Sequence, residues 1–283
     1  MDATGFIEAN SELLTRLLPE DRLSELSVRE GQFHSVVVGS ERVIAFARTA
    51  AAAQRLSARA DGLRALARLE LGVAVPECLS VEEAPPCLVM TKVAGAPLDE
   101  ESLRDPVVAK TVARQCRDLL DQLAAAGSAG QIDIPAASVD RWREFADGVR
   151  AELYPLMNAD GRERAERELA ALDSLPHLTG AVVHGDLGGE NLLWDNVDGL
   201  FVLRGVVDWD GVCLGDPAED YAALGAGYGS DVLREMLALG PPDDDLAVRI
   251  SVIQGTFALQ QALAAHRDGD AEALADGLAG YLS

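Results

Sequence analysis

Residues 181–210 read AVVHGDLGGENLLWDNVDGLFVLRGVVDWD. The apolar run Ala181-Val182-Val183 delivers His184-Gly185-Asp186, and Asn191 follows five residues after Asp186. Leu192, Leu193 and Trp194 continue apolar. Turn residues over 195–199 lead to a second strand over 201–207, which ends at Asp208-Trp209-Asp210. Asp186 and Asn191 share one tight loop, so a carboxylate and an amide point into the same cleft. The spacing predicts Asp208 at the end of the neighbouring strand. An Asn oxygen and a carboxylate are hard ligands suited to Mg²⁺ carrying a polyphosphate. A further carboxylate beside them orients a hydroxyl and accepts its proton. Together they are what moving a γ-phosphoryl group to an alcohol requires. His184 is expected to brace the loop rather than to move a proton.

Upstream lies a β-rich segment. SELSVRE (24–30), QFHSVVVGS (32–40) and ERVIAFART (41–49) read as a meander of three short strands, after an amphipathic helix over 8–18. A helix is predicted over 54–70, then strands over 74–83 and 86–93. Ala94-Gly95-Ala96-Pro97 is the best linker. Beyond it the pattern is mostly helical: 105–126, 139–156, 159–173, 229–239, 243–266 and 270–282, interrupted by the strands of 181–208. The expected architecture is α+β in two lobes. Residues 1–93 form a small five-stranded antiparallel lobe with one helix, 94–98 a hinge, and 99–283 a larger helical lobe carrying the loop.

The 283 residues include 24 Lys plus Arg against 47 Asp plus Glu, a formal charge of −23. That balance argues against a groove for nucleic acid backbone and against docking on anionic membrane. It favours solubility and a cationic partner. Lys92 and Lys110 are the only lysines. Cys78, Cys87, Cys116 and Cys213 show no metal-type spacing and read as reduced thiols. MDATGFIEANSELL lacks the basic and apolar regions of a signal peptide, and no apolar run reaches membrane-spanning length, so a cytoplasmic protein is expected.

The spacing H-x-D-x4-N with a downstream strand-terminal Asp matches the catalytic loop and metal-binding Asp of kinases. HGDLGGEN, VVDWD and GDPAED together resemble the aminoglycoside phosphotransferase superfamily, whose fold is similar to that of protein kinases. Within it, EGQFH, FART, RQC, EFADGVRAELYPLM, GRERAERELAALDSLPHLT, GTFALQQAL and RDGD resemble the branch that phosphorylates tuberactinomycin antibiotics such as capreomycin and viomycin on a serine hydroxyl.

The resemblance implies ATP and Mg²⁺ as cofactors and a cationic cyclic peptide as substrate. Asp186 would be the catalytic base, and Asn191 and Asp208 the metal ligands. The segment 31–35, with Gly31 and Ser35, would cover the phosphates. Met90, Thr91 and Val93 would form the hinge that reads the adenine edge, with Val36, Leu193 and Val207 as apolar walls. Asp216 and Asp220 would brace the loop. On the substrate side, Asp210, Glu190 and Trp142 are the candidates, the carboxylates for charge and the indole for cation–π contact. The chain departs from the pattern at the strand lysine. Its place falls on Arg48, whose planar fork suits phosphate oxygens. The place of the lysine's usual glutamate partner falls on Arg59. Asp61 pairs with Arg48, or Glu70 at the helix end does so more weakly, or no such pair exists; Arg59 instead adds a second positive charge toward the phosphates. Competing readings keep the chemistry on aminoglycosides, macrolides or small metabolites, or leave a silent kinase-like binding module.

Overall fold

Strand alternation builds the N-terminal sheet. In the computed structural model, which describes residues 3–31, 34–99 and 101–282, helices α1 (Ala3–Ala9) and α2 (Ser11–Leu17) precede β1 (Ser27–Glu30), β2 (His34–Val38) and β3 (Arg42–Ala47). Helix α3 (Ala50–Leu66), β4 (Cys78–Glu83) and β5 (Pro86–Thr91) follow. The strands form one antiparallel sheet in the order β1-β2-β3-β5-β4, the five-stranded lobe expected. The single helix expected over 8–18 is two helices. The side-chain amide of Asn10 donates to the Phe6 carbonyl at 2.8 Å, the acceptor a continuing helix would use for its backbone. Helix α3 begins earlier than expected because Thr49 Oγ1 caps the Ala52 N–H at 3.1 Å.

The sheet has two apolar faces. Val37, Ile44, Phe46 and Val89 pack outward against Leu14, Leu17 and Leu18. Val36, Val43, Ala45, Leu88 and Met90 pack inward with Leu56, Ala60, Leu63 and Leu66 of α3. Each fully buried leucine contributes about 1.5–3 kcal/mol. This parity decides which residues of β2 and β3 reach the interior.

The larger lobe is mostly helical. It runs through α4 (Pro106–Ser128), α5 (Arg141–Gly148), α6 (Ala159–Asp173), β6 (Ala181–Val183), β7 (Leu192–Val197), β8 (Leu200–Val206), β9 (Cys213–Gly215) and α7 (Ala218–Tyr228). Helices α8 (Ser230–Ala238), α9 (Asp244–Gly255), α10 (Phe257–Asp268) and α11 (Ala271–Leu278) complete it. No described helix is long and apolar enough to cross a membrane.

Three expectations change here. The helix over 139–156 is α5 followed by a π turn (Val149–Leu153) and a 3-10 turn (Tyr154–Leu156), because Pro155 has no N–H to continue the ladder. The helix over 243–266 breaks at Thr256, whose hydroxyl donates to the Ile253 carbonyl at 2.8 Å. The strand leading to Asp208 pairs with β7, not with β6; β6 pairs with β9. Positive φ at Asp198 (53°) and Gly199 (84°) closes β7 and β8 into a tight hairpin of matching twist.

Two bridges seat the sheet on this lobe. Ala96 exchanges backbone hydrogen bonds with Trp194 at 2.9 and 2.8 Å. Ala74 bonds to the Arg204 carbonyl at 2.8 Å and to the Val206 N–H at 2.9 Å. The loop 184–191 therefore opens directly below the inner face of the sheet.

Candidate active site

Strand β6 is buried along its length and carries His184 to the bottom of the cleft. Gly185 follows with φ 86°, a left-handed turn with the Gly211 backbone close by, where a side chain would be strained. Asp220, on α7 and 1% exposed, accepts the backbone N–H groups of His184 (2.8 Å) and Gly185 (3.0 Å). Burial pushes its carboxyl up to about 7, against the pull of those two bonds. Asp216 accepts the Ala218 N–H at 3.0 Å and the Arg249 Nε–H at 2.8 Å.

His184 is fully buried, and burial lowers its pKa to about 4. Its Nδ1 accepts the Asp186 N–H at 3.2 Å, so the proton of the neutral ring sits on Nε2, which donates to the Val207 carbonyl at 2.9 Å. One ring thus ties Asp186 to the strand end that carries Asp208.

Asp186 points into the cleft. Burial raises its pKa first, and the charges of Glu190 and Asp208 add to the effect. Asn191 is buried, and its Nδ2 donates to the Asp186 carbonyl at 2.8 Å, which leaves Oδ1 as its free group. The Asn191 carbonyl accepts the Val207 N–H at 3.0 Å and so brings Asp208 alongside. Asp208 sits in the left-handed region (φ 64°, ψ 53°), a conformation costly for a non-glycine residue, with its side chain 55% exposed. Two hard oxygen donors at one edge, with no cluster of three His, Cys, Asp or Glu among the described residues, fit an ion that arrives with phosphate oxygens.

On the nucleotide side the structure rearranges the expected set. Ser35 is buried on the outer face of β2 in the parity of Val37; its neighbour His34 faces the cleft. Gly31 accepts from Arg48 Nη1 at 2.7 Å, and residues 32 and 33 of the expected loop lie outside the described residues. Arg48 is exposed and continues the parity of Ile44 and Phe46, away from α3, while the inward positions of β3 are Val43, Ala45 and Ala47. Asp61 pairs with Arg64 of its own helix at 2.8 Å, not with Arg48. Met90 and Thr91 have their backbone engaged in the sheet and with Glu77, whereas the N–H groups of Val93 and Ala94 have no partner among the described residues. The free backbone edge is therefore at 93–94. Val36, Leu193 and Val207 are half-buried.

Arg59 of α3 reaches the turn after β8 that carries Asp208 and Asp210. Its side chain is 12% exposed; Nε contacts Asp210 Oδ1, Nη2 lies 3.9 Å from Asp208 Oδ1, and Nη1 lies 3.0 Å from His34 Nε2. Burial and the Arg59 charge lower His34 to about 4, so it meets Arg59 as a neutral ring. Asp210 is thus bound to Arg59, and burial pushes it up to about 6. It lines a cavity together with His34 and Arg59, apart from the cavity that holds Asp186. Only strand parity, which depends on register, would have revealed His34 from the sequence.

The substrate side is a separate cavity of about 380 Å³ beside Asp186. It brings together Asp186, Glu190, Glu219, Trp142, Phe257 and Gln260. Three carboxylates line it and no Lys or Arg does. Glu219 takes a two-pronged ion pair from Arg141, whose guanidinium lies 4.4 Å from the Trp142 ring centroid. The pair fixes the indole at the cavity wall.

A sequence profile described as the phosphotransferase enzyme family matches residues 28–240, a span that includes the sheet, the loop and α7. The chain belongs to that family. This phosphotransferase is 59% identical over 283 residues to viomycin phosphotransferase of Streptomyces vinaceus, covering 97% of the chain and 99% of the relative. Among solved structures it superposes on an aminoglycoside phosphotransferase in complex with GDP and kanamycin with a TM-score of 0.82 at 20% identity, over 96% of this chain and 97% of the other. A macrolide 2'-phosphotransferase of Brachybacterium faecium gives 0.67 at 21% identity, over 97% and 98%. These two likenesses establish the kinase-like two-lobe fold of the phosphotransferase.

Proposed function

We propose that this phosphotransferase moves the γ-phosphoryl group of ATP to a hydroxyl of a cationic cyclic-peptide antibiotic of the viomycin and capreomycin class, and so protects a cell from it. The observation that carries the substrate class is the cavity beside Asp186, whose lining holds Asp186, Glu190 and the Arg141-paired Glu219 and no Lys or Arg. A polycation is favoured there both in approach and in register. The near-full-length relative named for viomycin supports the same choice.

In this reading the adenine edge meets the free backbone at Val93 and Ala94, above the hinge 94–98. Asn191 Oδ1 and Asp208 would hold Mg²⁺, which screens the charge of the phosphates when bound. Asp186 accepts the hydroxyl proton as the substrate oxygen bonds to the γ-phosphorus and the bond to the β-phosphate oxygen breaks. Asp210, bound to Arg59, does not line this cavity, which leaves Glu190 and Trp142 to meet the substrate.

The test is incubation with ATP and Mg²⁺ and a panel of viomycin, capreomycin, kanamycin, erythromycin and choline, read by mass spectrometry. One phosphoryl group gained on viomycin or capreomycin alone is expected. Gain on kanamycin alone would move the substrate to the aminoglycosides. Asp186→Ala should cut turnover about 10²–10⁴-fold with ADP binding retained; near-normal turnover would remove Asp186 as the base.

A further inference from the structure

The inner face of β3 presents no charge to the cleft: its residues are Val43, Ala45 and Ala47. Lys92 Nζ donates to the Gly39 carbonyl at 3.0 Å, and Lys110 lies on α4. The strand cation expected at Arg48 is bound to the Gly31 carbonyl on the other side of the strand. A site that carries a polyphosphate has to place positive charge somewhere, and the cation directed at the metal-binding turn comes from the helix.

Arg59 joins two segments that a phosphate chain would touch. It contacts Asp210 and Asp208 on the turn after β8 and His34 at the end of the phosphate loop. The bond to Asp210 uses Nε, so the two terminal nitrogens remain available as a fork. One of them lies 3.9 Å from Asp208, a loose ion pair that is easily exchanged. His34, held neutral, adds no competing charge.

Resting on the nucleotide-binding reading above, we propose that Arg59 is the phosphate-binding cation of this site, anchored through Nε by Asp210. When nucleotide enters, the terminal nitrogens leave Asp208 and His34 for phosphate oxygens, and Asp208 is released for the metal. The usual polarity is thereby reversed: the helix supplies the cation and the metal-binding turn its counter-ion. Asp210 acts as a positioning residue and Arg59 as a binding residue. A planar fork gives two charge-assisted bonds where a lysine gives a point charge.

The test compares ADP with adenosine, by calorimetry, with Mg²⁺ and with EDTA. Arg59→Ala should weaken ADP about 10- to 100-fold, the loss of charged hydrogen bonds, in both media. Adenosine should stay within about twofold, because it has no phosphate, and Arg59→Lys should restore part of the ADP affinity. If Arg59→Ala fails to fold because Asp210 is left unpaired, Arg59→Met with Asp210→Asn removes both charges and should show the same selective loss. ADP affinity equal to wild type in either variant overturns the proposal. So does a parallel loss of ADP and adenosine without recovery in Arg59→Lys, which marks Arg59 as structural only. A wild-type protein that binds neither ligand overturns the nucleotide reading itself, and this proposal with it.

Discussion

The imidazole Nδ1 of His184 accepts the backbone N–H of Asp186 at 3.2 Å, while its Nε2–H is given to Val207. The orientation of the Asp186 carboxylate thus depends on a neutral, fully buried ring. Protonating Nδ1 removes the acceptor and places a charge in the core.

That dependence has a pH signature. His184 titrates near 4 in the fold and near 6.5 when unfolded, so between those values the unfolded chain binds the extra proton. Stability contributed by His184 is full above pH 6.5 and is lost as pH falls toward 4, by about 3 kcal/mol in all. Urea unfolding of wild type and His184→Gln at pH 7.5 and 4.5 checks this. The gap between them should narrow at pH 4.5; a gap that widens would show that the ring is charged in the fold.

Glu190 sets the acid side of the rate profile. Burial is the main cause of the raised Asp186 pKa, and the Glu190 charge is the next. Asp186 must be ionised to accept a proton, so activity falls as pH drops through its pKa. Glu190→Gln removes a neighbouring negative charge and should move the acid limb of kcat/KM to lower pH. A limb that stays in place, or rises, would separate Glu190 from the base.

Trp142 should act on one substrate only. Its ring lines the cavity beside Asp186, held by Arg141. Trp142→Ala should raise KM for the cationic acceptor about 3- to 30-fold, the range of a cation–π contact, and leave KM for ATP within about twofold. Steady-state kinetics with each substrate varied in turn decides it; a matching rise for ATP would indicate a general packing defect.

Gly127 supports the loop from behind. A Cβ there would come within 2.7 Å of the Ala181 and Val182 backbone, so α4 and β6 could not keep their approach. Gly127→Ala should cost about 1–3 kcal/mol in denaturant unfolding and lower kcat as the strand carrying His184 shifts. Wild-type stability in that variant would mean the two elements separate freely.

The loop 184–191 was legible in the sequence because its chemistry lies within eight residues on one apolar strand. Ser35 and Arg48 were misplaced for one shared reason. Each lies one residue from an inward position, and a one-residue error in strand parity moves a side chain to the opposite face. Asp210 was misplaced differently: its partner Arg59 lies on α3, far away in sequence, and no local pattern links them. The helix breaks at Asn10, Pro155 and Thr256 each arise from one residue that claims or lacks a backbone hydrogen bond.

By itself, then, the sequence determined the class of chemistry and most of the order of the elements, and it nominated Asp186, Asn191 and Asp208 for the roles proposed above. Those properties follow from residue type and from short spacings that the covalent chain enforces. Only the tertiary structure decided which side chains face the cleft, which cation stands against the turn of Asp208 and Asp210, and that Asp186, Glu190 and Glu219 gather in one cavity lined by no Lys or Arg. Those properties depend on register and on packing between distant segments, where a single residue of offset reverses the outcome.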